Sequence, residues 1–277
     1  MPKIKLQDIE LSYTVDDYTD PWKRAPWVLL HHSAVGSSRR WYGWVPHLAR
    51  SYRVLRYDVR GHGDSTWPSH NGHFTLDTFV DDVTAILDAL DIPRIHFVGA
   101  SGGGIVGLKF AHAYPERTRS LTLVASTPSL SESQVDLSQW GELLRKHGVK
   151  GWLMADSQAR FGSAPEGLVE WFTDEGARTS VKVAKAYTSY MATVDLTHLL
   201  PEIKAKTLIL AAEEDEITPM HVQELMRDTM PNARLATYGG VGHNIKVLIP
   251  DQLAQNTLEF LQDVDKMEDL TLGFVDC

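Results

Sequence analysis

The sequence is poor in cysteine and contains no long apolar run. Cys277, the last of 277 residues, is the only cysteine, so a disulfide bridge within the chain is impossible. A membrane-spanning helix would need about 18 consecutive apolar residues, and the sequence contains no such stretch. Residues 1–13 alternate charged and apolar residues and lack the apolar segment of a signal peptide. We therefore expect a cytoplasmic protein in a reducing compartment, without contact with a membrane.

Positive charge is also scarce. The chain has 27 Lys and Arg against 36 Asp and Glu, a net charge of −9. Nucleic acids and anionic membranes are bound by clustered cations, so this balance argues against either as the main partner. Neither a C-x-x-C nor an H-E-x-x-H motif occurs, and the spacing of the 12 histidines gives no organised metal site. We expect a monomer or a homodimer that acts on a small molecule without a cofactor or a metal.

What the sequence does contain is an alternation of short aliphatic runs with amphipathic segments. Such runs, bounded by turn residues, are typical of buried strands in a parallel sheet. They lie at 26–32, 52–58, 95–100, 120–126, 206–215 and 233–240. Repeated strand–helix units predict an α/β fold in which helices flank a mostly parallel sheet.

A run of helix-like segments without a convincing strand interrupts this alternation. We predict that it forms a helical cap, residues 129–200, inserted after the sixth strand. The α/β core is then formed by residues 1–128 and 201–277. Aromatic residues are frequent in the insertion, and we expect most of them to pack in the cap and one or two to touch a substrate.

One glycine-rich turn fits two different signatures. Residues 99–103 read G-A-S-G-G, a G-x-S-x-G turn that exposes the nucleophile Ser101. Gly102, Gly104 and Gly107 fit G-x-G-x-x-G, in which a helix N-terminus receives a dinucleotide pyrophosphate. The nucleotide interpretation requires an acidic residue at the end of the next strand, but that strand ends V-A-S-T. The serine interpretation is therefore preferred.

A nucleophilic serine needs an acid and then a base later in the chain. The acid candidates, Glu213, Glu214, Asp215 and Glu216, follow the strand T-L-I-L. Asp215 is preferred because a helix that starts with Thr218 as its cap and proline in its first turn would leave this carboxylate in the loop.

The predicted base is His243, the one histidine between the last predicted strand and the last helix. Its imidazole would take the proton of Ser101, while the Asp215 carboxylate would fix its tautomer. An oxyanion hole completes such a site. Its first donor would be the N–H of Gly102, the residue after the nucleophile, and by position the N–H of Ser33 is the second.

Together these motifs resemble the α/β-hydrolase superfamily over nearly the whole chain. The resemblance rests on V-L-L-H-H, Y-D-V-R-G-H-G-D-S, V-G-A-S-G-G-G, A-A-E-E-D-E-I-T-P and G-G-V-G-H, in that order. Within the superfamily, the chain most resembles the lid-bearing group of 3-oxoadipate enol-lactonases and small esterases. The resemblance implies a triad of Ser101, Asp215 and His243. It also implies hydrolysis of a small to medium ester or lactone through an acyl-enzyme.

The chain departs from the superfamily's usual pattern at His32, where a glycine commonly follows the histidine. His32 could point into the site or pack beneath it. In the cap, Trp140, Trp152 and Arg160 are candidate substrate contacts, and Arg160 could bind a substrate carboxylate. The same fold also supports C–C bond hydrolysis, cofactor-free oxygenation and slow-turnover ligand reception, which remain the alternative functions.

The motif Y-D-V-R-G-H-G-D-S is rich in chemically capable side chains. Asp58, Arg60, His62 and Asp64 lie around two glycines that indicate a tight turn. We expect these charges to hold the turn together, and we leave them out of the catalytic set.

Overall fold

The computed structural model describes residues 1–68 and 74–273, so Cys277 lies outside the described residues. The strands are β1 (Lys3–Lys5), β2 (Glu10–Asp16), β3 (Trp27–His31), β4 (Arg53–Tyr57), β5 (Ile95–Ala100), β6 (Thr118–Val124), β7 (Lys206–Ala212) and β8 (Ala233–Tyr238). They form one sheet in the order β1-β2-β4-β3-β5-β6-β7-β8. β2 pairs antiparallel with β1 and β4, and the other pairings are parallel. The predicted mostly parallel sheet is confirmed.

Helices flank the sheet and follow β6 as an insertion. They are α1 (Val45–Leu48), α2 (Leu76–Ala89), α3 (Gly102–Ala113), α4 (Trp140–Ala155), α5 (Ser157–Phe161), α6 (Glu166–Ala177), α7 (Val181–Met191), α8 (Met220–Thr229), α9 (Ile245–Leu248) and α10 (Pro250–Gly273). No helix among the described residues has the length and apolarity needed to cross a bilayer.

The central strands are buried because their alternate side chains enter two separate hydrophobic clusters. Leu29 of β3 and Phe97 of β5 belong to the cluster on one face, whereas Val28 and Val98 belong to the cluster on the other. Successive residues of a strand point to opposite faces, so a strand covered on both sides needs an unbroken apolar run. This is the pattern that the sequence shows at these positions.

The helices α4 to α7 form the insertion between β6 and β7; we refer to this insertion as the cap, and it packs against loops of the core. Ser37 Oγ donates a hydrogen bond of 2.6 Å to Glu175 Oε1 of α6. Arg40 Nη2 donates one of 2.8 Å to the carbonyl oxygen of Phe172. The predicted cap boundary at 128/129 falls between β6 and α4, and the one at 200/201 falls within a 3-10 helix, Thr197–Glu202.

Helix α2 shows how the cap and the core support one another. Thr75 precedes the helix and forms a capping box with Thr78. The hydroxyl of each threonine accepts a hydrogen bond of 3.0 Å from the backbone N–H of the other. The next N–H, that of Leu76, donates to the hydroxyl of Tyr190 on α7 over 2.7 Å. A cap side chain thus satisfies a backbone donor at the start of a core helix, where no intrahelical partner exists.

Candidate active site

Ser101 occupies the sharp turn between β5 and α3. Its backbone has φ 51° and ψ −122°, a left-handed conformation that non-glycine residues adopt only when the surroundings enforce it. The strand and the helix approach closely here. A Cβ on Gly103 would lie 2.6 Å from the His31 carbonyl oxygen, and a Cβ on Gly99 would collide with the Gly103 carbonyl oxygen. The turn therefore needs its glycines to present Ser101.

The glycines of the competing nucleotide signature serve the same packing. A Cβ on Gly104 would collide with Ser126 Oγ, and one on Gly107 would lie 2.9 Å from the side chains of Leu121 and Phe97. Both glycines thus let α3 lie directly on β5 and the strand end of β6. Packing thus explains the last two glycines of the G-x-G-x-x-G spacing, and the first, Gly102, leaves room for the hydroxyl of Tyr187 on α7.

Three predicted residues form one hydrogen-bonded chain. His243 Nδ1 lies 2.8 Å from Asp215 Oδ2, and His243 Nε2 lies 3.0 Å from Ser101 Oγ. An ionised carboxylate only accepts hydrogen bonds, so Nδ1 carries the ring proton and Nε2 accepts from the serine hydroxyl. Asp215 and His243 are buried. The arrangement can move a proton from Ser101 to His243.

The Asp215 carboxylate is held by the start of the segment that leads into α8. Oδ1 accepts from the N–H groups of Ile217 and Thr218 over 2.8 and 2.9 Å, and Oδ2 accepts from Thr218 Oγ1 over 2.6 Å. The prediction that Thr218 caps the helix is wrong, because α8 begins at Met220 with Pro219 as its cap. The Thr218 hydroxyl instead fixes the carboxylate that faces His243.

The His243 loop is held by the cap. The N–H of His243 donates to the Ala159 carbonyl oxygen over 3.0 Å, and the N–H of Asn244 donates to that of Arg160 over 2.9 Å. A Cβ on Gly242 would lie 2.6 Å from the Ala159 oxygen. Glycine at this position therefore allows α5 to brace the loop. No feature of the sequence signalled this contact.

His32 packs beneath the site and does not enter it. The N–H of Val59 donates to its Nε2 over 2.9 Å, and its Nδ1 donates to the Ser33 carbonyl oxygen over 2.8 Å. Burial, and then the neighbouring His62 and His31, hold the pKa of His32 well below its ordinary value. A neutral ring with both nitrogens engaged by backbone has no group left for a substrate, so the predicted substrate contact at His32 is corrected.

A narrow, largely enclosed cavity lies over Ser101. The core lines it with Ala34, Ser101, Gly102 and His243, and the cap lines it with Trp140, Trp152, Arg160 and Tyr187, among others. The three predicted cap residues thus lie at the cavity. Ser33 is not one of the lining residues, whereas the next residue of the loop, Ala34, is.

Arg160 is a buried cation whose pairing is incomplete. Its Nη2 lies 3.4 Å from Asp156 Oδ2, and its guanidinium carbon lies 4.8 and 5.4 Å from the ring centres of Trp152 and Trp140. Its Nε has no hydrogen-bond partner among the described residues. Burial lowers the pKa of Arg160, which the Asp156 carboxylate opposes, and the guanidinium remains charged near neutrality.

The charged side chains of the D-V-R-G-H-G-D motif hold this turn in place. Asp58 accepts hydrogen bonds from the N–H groups of Ser38 and Asp64 over 2.7 and 2.9 Å. Arg60 forms two contacts of 2.6 Å with the Asp82 carboxylate of α2. Asp58 thus closes the turn and Arg60 anchors it to α2, and both are absent from the cavity lining. Within the described residues, no cluster of three or more His, Cys, Asp or Glu could hold a metal.

The sequence matches two protein-family models. One, for the α/β-hydrolase fold, covers residues 26–146, and the other, for TAP-like proteins, covers residues 182–264. The sequence is 28% identical over 253 residues to a candidate carbamate hydrolase, RutD, of Pseudomonas savastanoi pv. phaseolicola, covering 86% of this chain and 94% of the relative. It is 27% identical over 217 residues to 3-oxoadipate enol-lactonase 2 of Acinetobacter baylyi, covering 76% and 78%.

Solved structures give the same result for the fold. The enol-lactonase from Burkholderia xenovorans superposes with a TM-score of 0.86 at 23% identity, covering 94% of this chain and all (100%) of that one. A hydrolase from Pseudomonas aeruginosa superposes with a TM-score of 0.83 at 29% identity, covering 94% and 97%. The overall fold is therefore shared with these solved structures.

Proposed function

We propose that this chain, in which residues 26–146 match the α/β-hydrolase model and residues 182–264 match the TAP-like model, is a serine hydrolase of the α/β-hydrolase superfamily that cleaves a small to medium ester or lactone. The observation that carries the proposal is the chain of hydrogen bonds from Ser101 Oγ through His243 to Asp215. Nucleophile, base and orienting acid need this contact geometry. The enclosed cavity supports it, since exclusion of water strengthens every electrostatic interaction inside.

In the first half of the reaction, Ser101 Oγ attacks the carbonyl carbon while His243 Nε2 takes the hydroxyl proton. The imidazolium that forms is stabilised by the Asp215 carboxylate. His243 then gives the proton to the departing alkoxide, which leaves an acyl group on Ser101. In the second half, His243 activates a water molecule that releases the acid. With a lactone the leaving hydroxyl stays tethered, so deacylation must be faster than ring closure.

Two backbone N–H groups are available for the oxyanion. Gly102 is the first residue of α3, so its N–H has no intrahelical partner. The second donor comes from the loop after β3, and the structure supports Ala34 in place of the predicted Ser33. The Ser33 carbonyl accepts from His32 Nδ1 and from the N–H of Gly36, over 2.8 and 3.2 Å. Across a trans peptide the following N–H points the opposite way, and Ala34 lines the cavity.

The substrate class follows from the cap side of the cavity. Arg160, whose Nε has no partner among the described residues, lies there beside the contacting rings of Trp140 and Trp152. A buried donor of this kind is costly unless a partner arrives. We propose that Arg160 binds a carboxylate carried by the substrate, with the two indoles packed against the apolar part.

The primary experiment measures hydrolysis of a panel of esters, lactones and thioesters by the wild type and Ser101→Ala. We expect at least one ester or lactone to be cleaved, and the variant to lose that activity while retaining the wild-type melting temperature. A folded Ser101→Ala protein as active as the wild type would end the proposal.

The carboxylate is tested with mono-4-nitrophenyl adipate and its methyl ester, which differ by the methyl group that removes the negative charge. A charge-assisted hydrogen bond of about 1.5–3 kcal/mol predicts that the wild type prefers the acid by about ten- to a hundredfold in kcat/KM. Arg160→Met should remove the preference and leave cleavage of the methyl ester little changed. Arg160→Lys, which keeps the charge but loses the planar fork, should retain part of it. Equal rates on both substrates with the wild type would contradict this role.

A further inference from the structure

Tyr187 is a cap residue whose hydroxyl reaches the serine turn. It lies on α7, and its ring packs edge-on against His62 and Phe74, with centroid distances of 5.3 Å to each. The Phe79 ring lies 5.6 Å away. These contacts fix the ring so that Oη lies directly over Gly102, where any Cβ would collide with it. Tyr187 and Ser101 line the same cavity.

The Tyr187 hydroxyl is buried and has no hydrogen-bond partner among the described residues. A buried hydroxyl without a partner is costly, and such groups are uncommon in native proteins. Burial also raises the pKa of Tyr187 above its ordinary value, so the hydroxyl keeps its proton at neutral pH and remains a donor.

Tyr190, one turn further along α7, provides the contrast. Its hydroxyl accepts the N–H of Leu76 at the start of α2 over 2.7 Å, which is a structural role. One helix thus carries two tyrosine hydroxyls towards the core, one with a backbone partner and one directed to the cavity without one. The packing alone accounts for Tyr190, but it gives the Tyr187 oxygen nothing to bind.

We propose that the Tyr187 hydroxyl donates a third hydrogen bond to the carbonyl oxygen under attack, beside the two backbone N–H groups. The inference rests on the proposed serine hydrolase function. The hydroxyl keeps its proton throughout, and its dipole stabilises the negative charge that develops on the oxygen. Because α7 belongs to the cap, the oxyanion site is complete only when the cap is seated on the core.

The test compares Tyr187→Phe with Tyr190→Phe, each of which removes one oxygen and keeps the ring. Loss of one donor predicts a fall of about a hundred- to a thousandfold in kcat for Tyr187→Phe, with KM little changed. Affinity for an alkyl trifluoromethyl ketone, which forms a tetrahedral adduct with Ser101, should fall by a similar factor. Tyr190→Phe should lower the melting temperature and leave kcat and the ketone affinity close to the wild type.

Two results would overturn the inference. One is a Tyr187→Phe enzyme with wild-type kcat. The other is a fall in kcat with unchanged affinity for the ketone, since that outcome reflects packing alone. Both are separate from failure of the proposed function, in which the wild type forms no adduct with the ketone and Ser101→Ala loses no activity. Should Tyr187→Phe not fold, the Raman difference spectrum between the ketone adduct and the free wild type decides: the chain has nine tyrosines, and tyrosine bands that do not change at all on adduct formation contradict the hydrogen bond.

Discussion

Replacement of Asp215 by asparagine isolates one feature of the site, the tautomer of His243. Four hydrogen bonds end on the carboxylate, from His243 Nδ1, from the hydroxyl and N–H of Thr218, and from the N–H of Ile217. An asparagine must keep its oxygen towards the two backbone N–H groups, because an amide nitrogen there would face two donors. Its nitrogen then faces His243 Nδ1, which has to become an acceptor.

The ring proton consequently moves to Nε2, the atom that must accept the proton of Ser101. We expect Asp215→Asn to fold with near-native geometry and to lose about 10⁴-fold in kcat, or about 5 kcal/mol of transition-state stabilisation. The assay is cleavage of the best ester found for the wild type, with the melting temperature as the check on folding.

Asp215→Glu is a weaker comparison, because its extra methylene displaces the carboxylate from the Thr218 donors. Glu214→Gln is the matched control, since it changes one acidic residue of the same loop that makes no contact with His243. A loss smaller than tenfold for Asp215→Asn, or an equal loss for Glu214→Gln, would refute the reasoning.

The remaining predictions concern stability. Asp82→Ala removes the buried carboxylate 2.6 Å from the Arg60 guanidinium and leaves only the half-exposed Asp8 carboxylate, at 3.7 Å. It should lower the free energy of unfolding by about 3–5 kcal/mol; a urea midpoint within error of the wild type would contradict this. Burial lowers the pKa of His62 to about 4, so below the ordinary histidine pKa of about 6.5 the unfolded state binds the extra proton. From pH 7 to pH 5 the free energy of unfolding should then fall by about 2 kcal/mol through this group, and His62→Gln should lose that part of the slope. Gly103→Ala places a Cβ 2.6 Å from a backbone oxygen of β3 and should abolish soluble expression. Gly141→Ala on α4, where a Cβ would meet only the end of the Lys185 side chain at 3.9 Å, should raise the melting temperature; equal behaviour of the two variants would contradict the account of the turn.

The sequence predicts the parts of this molecule that local chemistry determines. Strands such as Trp27–His31 and Ile95–Ala100 are recognisable because burial on both faces requires an unbroken apolar run. The sharp turn at Ser101 and the order of Ser101, Asp215 and His243 in the chain follow from residue types at fixed places relative to those strands. β1 and β2 escaped prediction because they lie at the sheet edge, where burial is partial and the apolar pattern is weak.

Features that depend on packing between distant segments could not be predicted. We propose Ala34 in place of Ser33 as the second oxyanion donor because the ring of His32, which accepts from the Val59 N–H, donates to the Ser33 carbonyl oxygen. The bracing of the His243 loop depends on how α5 docks. The periodicity of α7 does not distinguish Tyr187 from its neighbours. Whether a tyrosine of this helix reaches the serine turn depends on how the cap is positioned on the core.

The most direct test of the central claim is mass spectrometry of the wild type after treatment with an organophosphonate. Trypsin releases Ser101 within residues 95–109, and Ser101 is the only hydroxyl side chain of that peptide. We predict a single adduct on this peptide, which is absent in Ser101→Ala and strongly slowed in a His243→Ala variant. An adduct on another peptide, or an enzyme that still cleaves its ester while Ser101 is fully modified, would contradict the account.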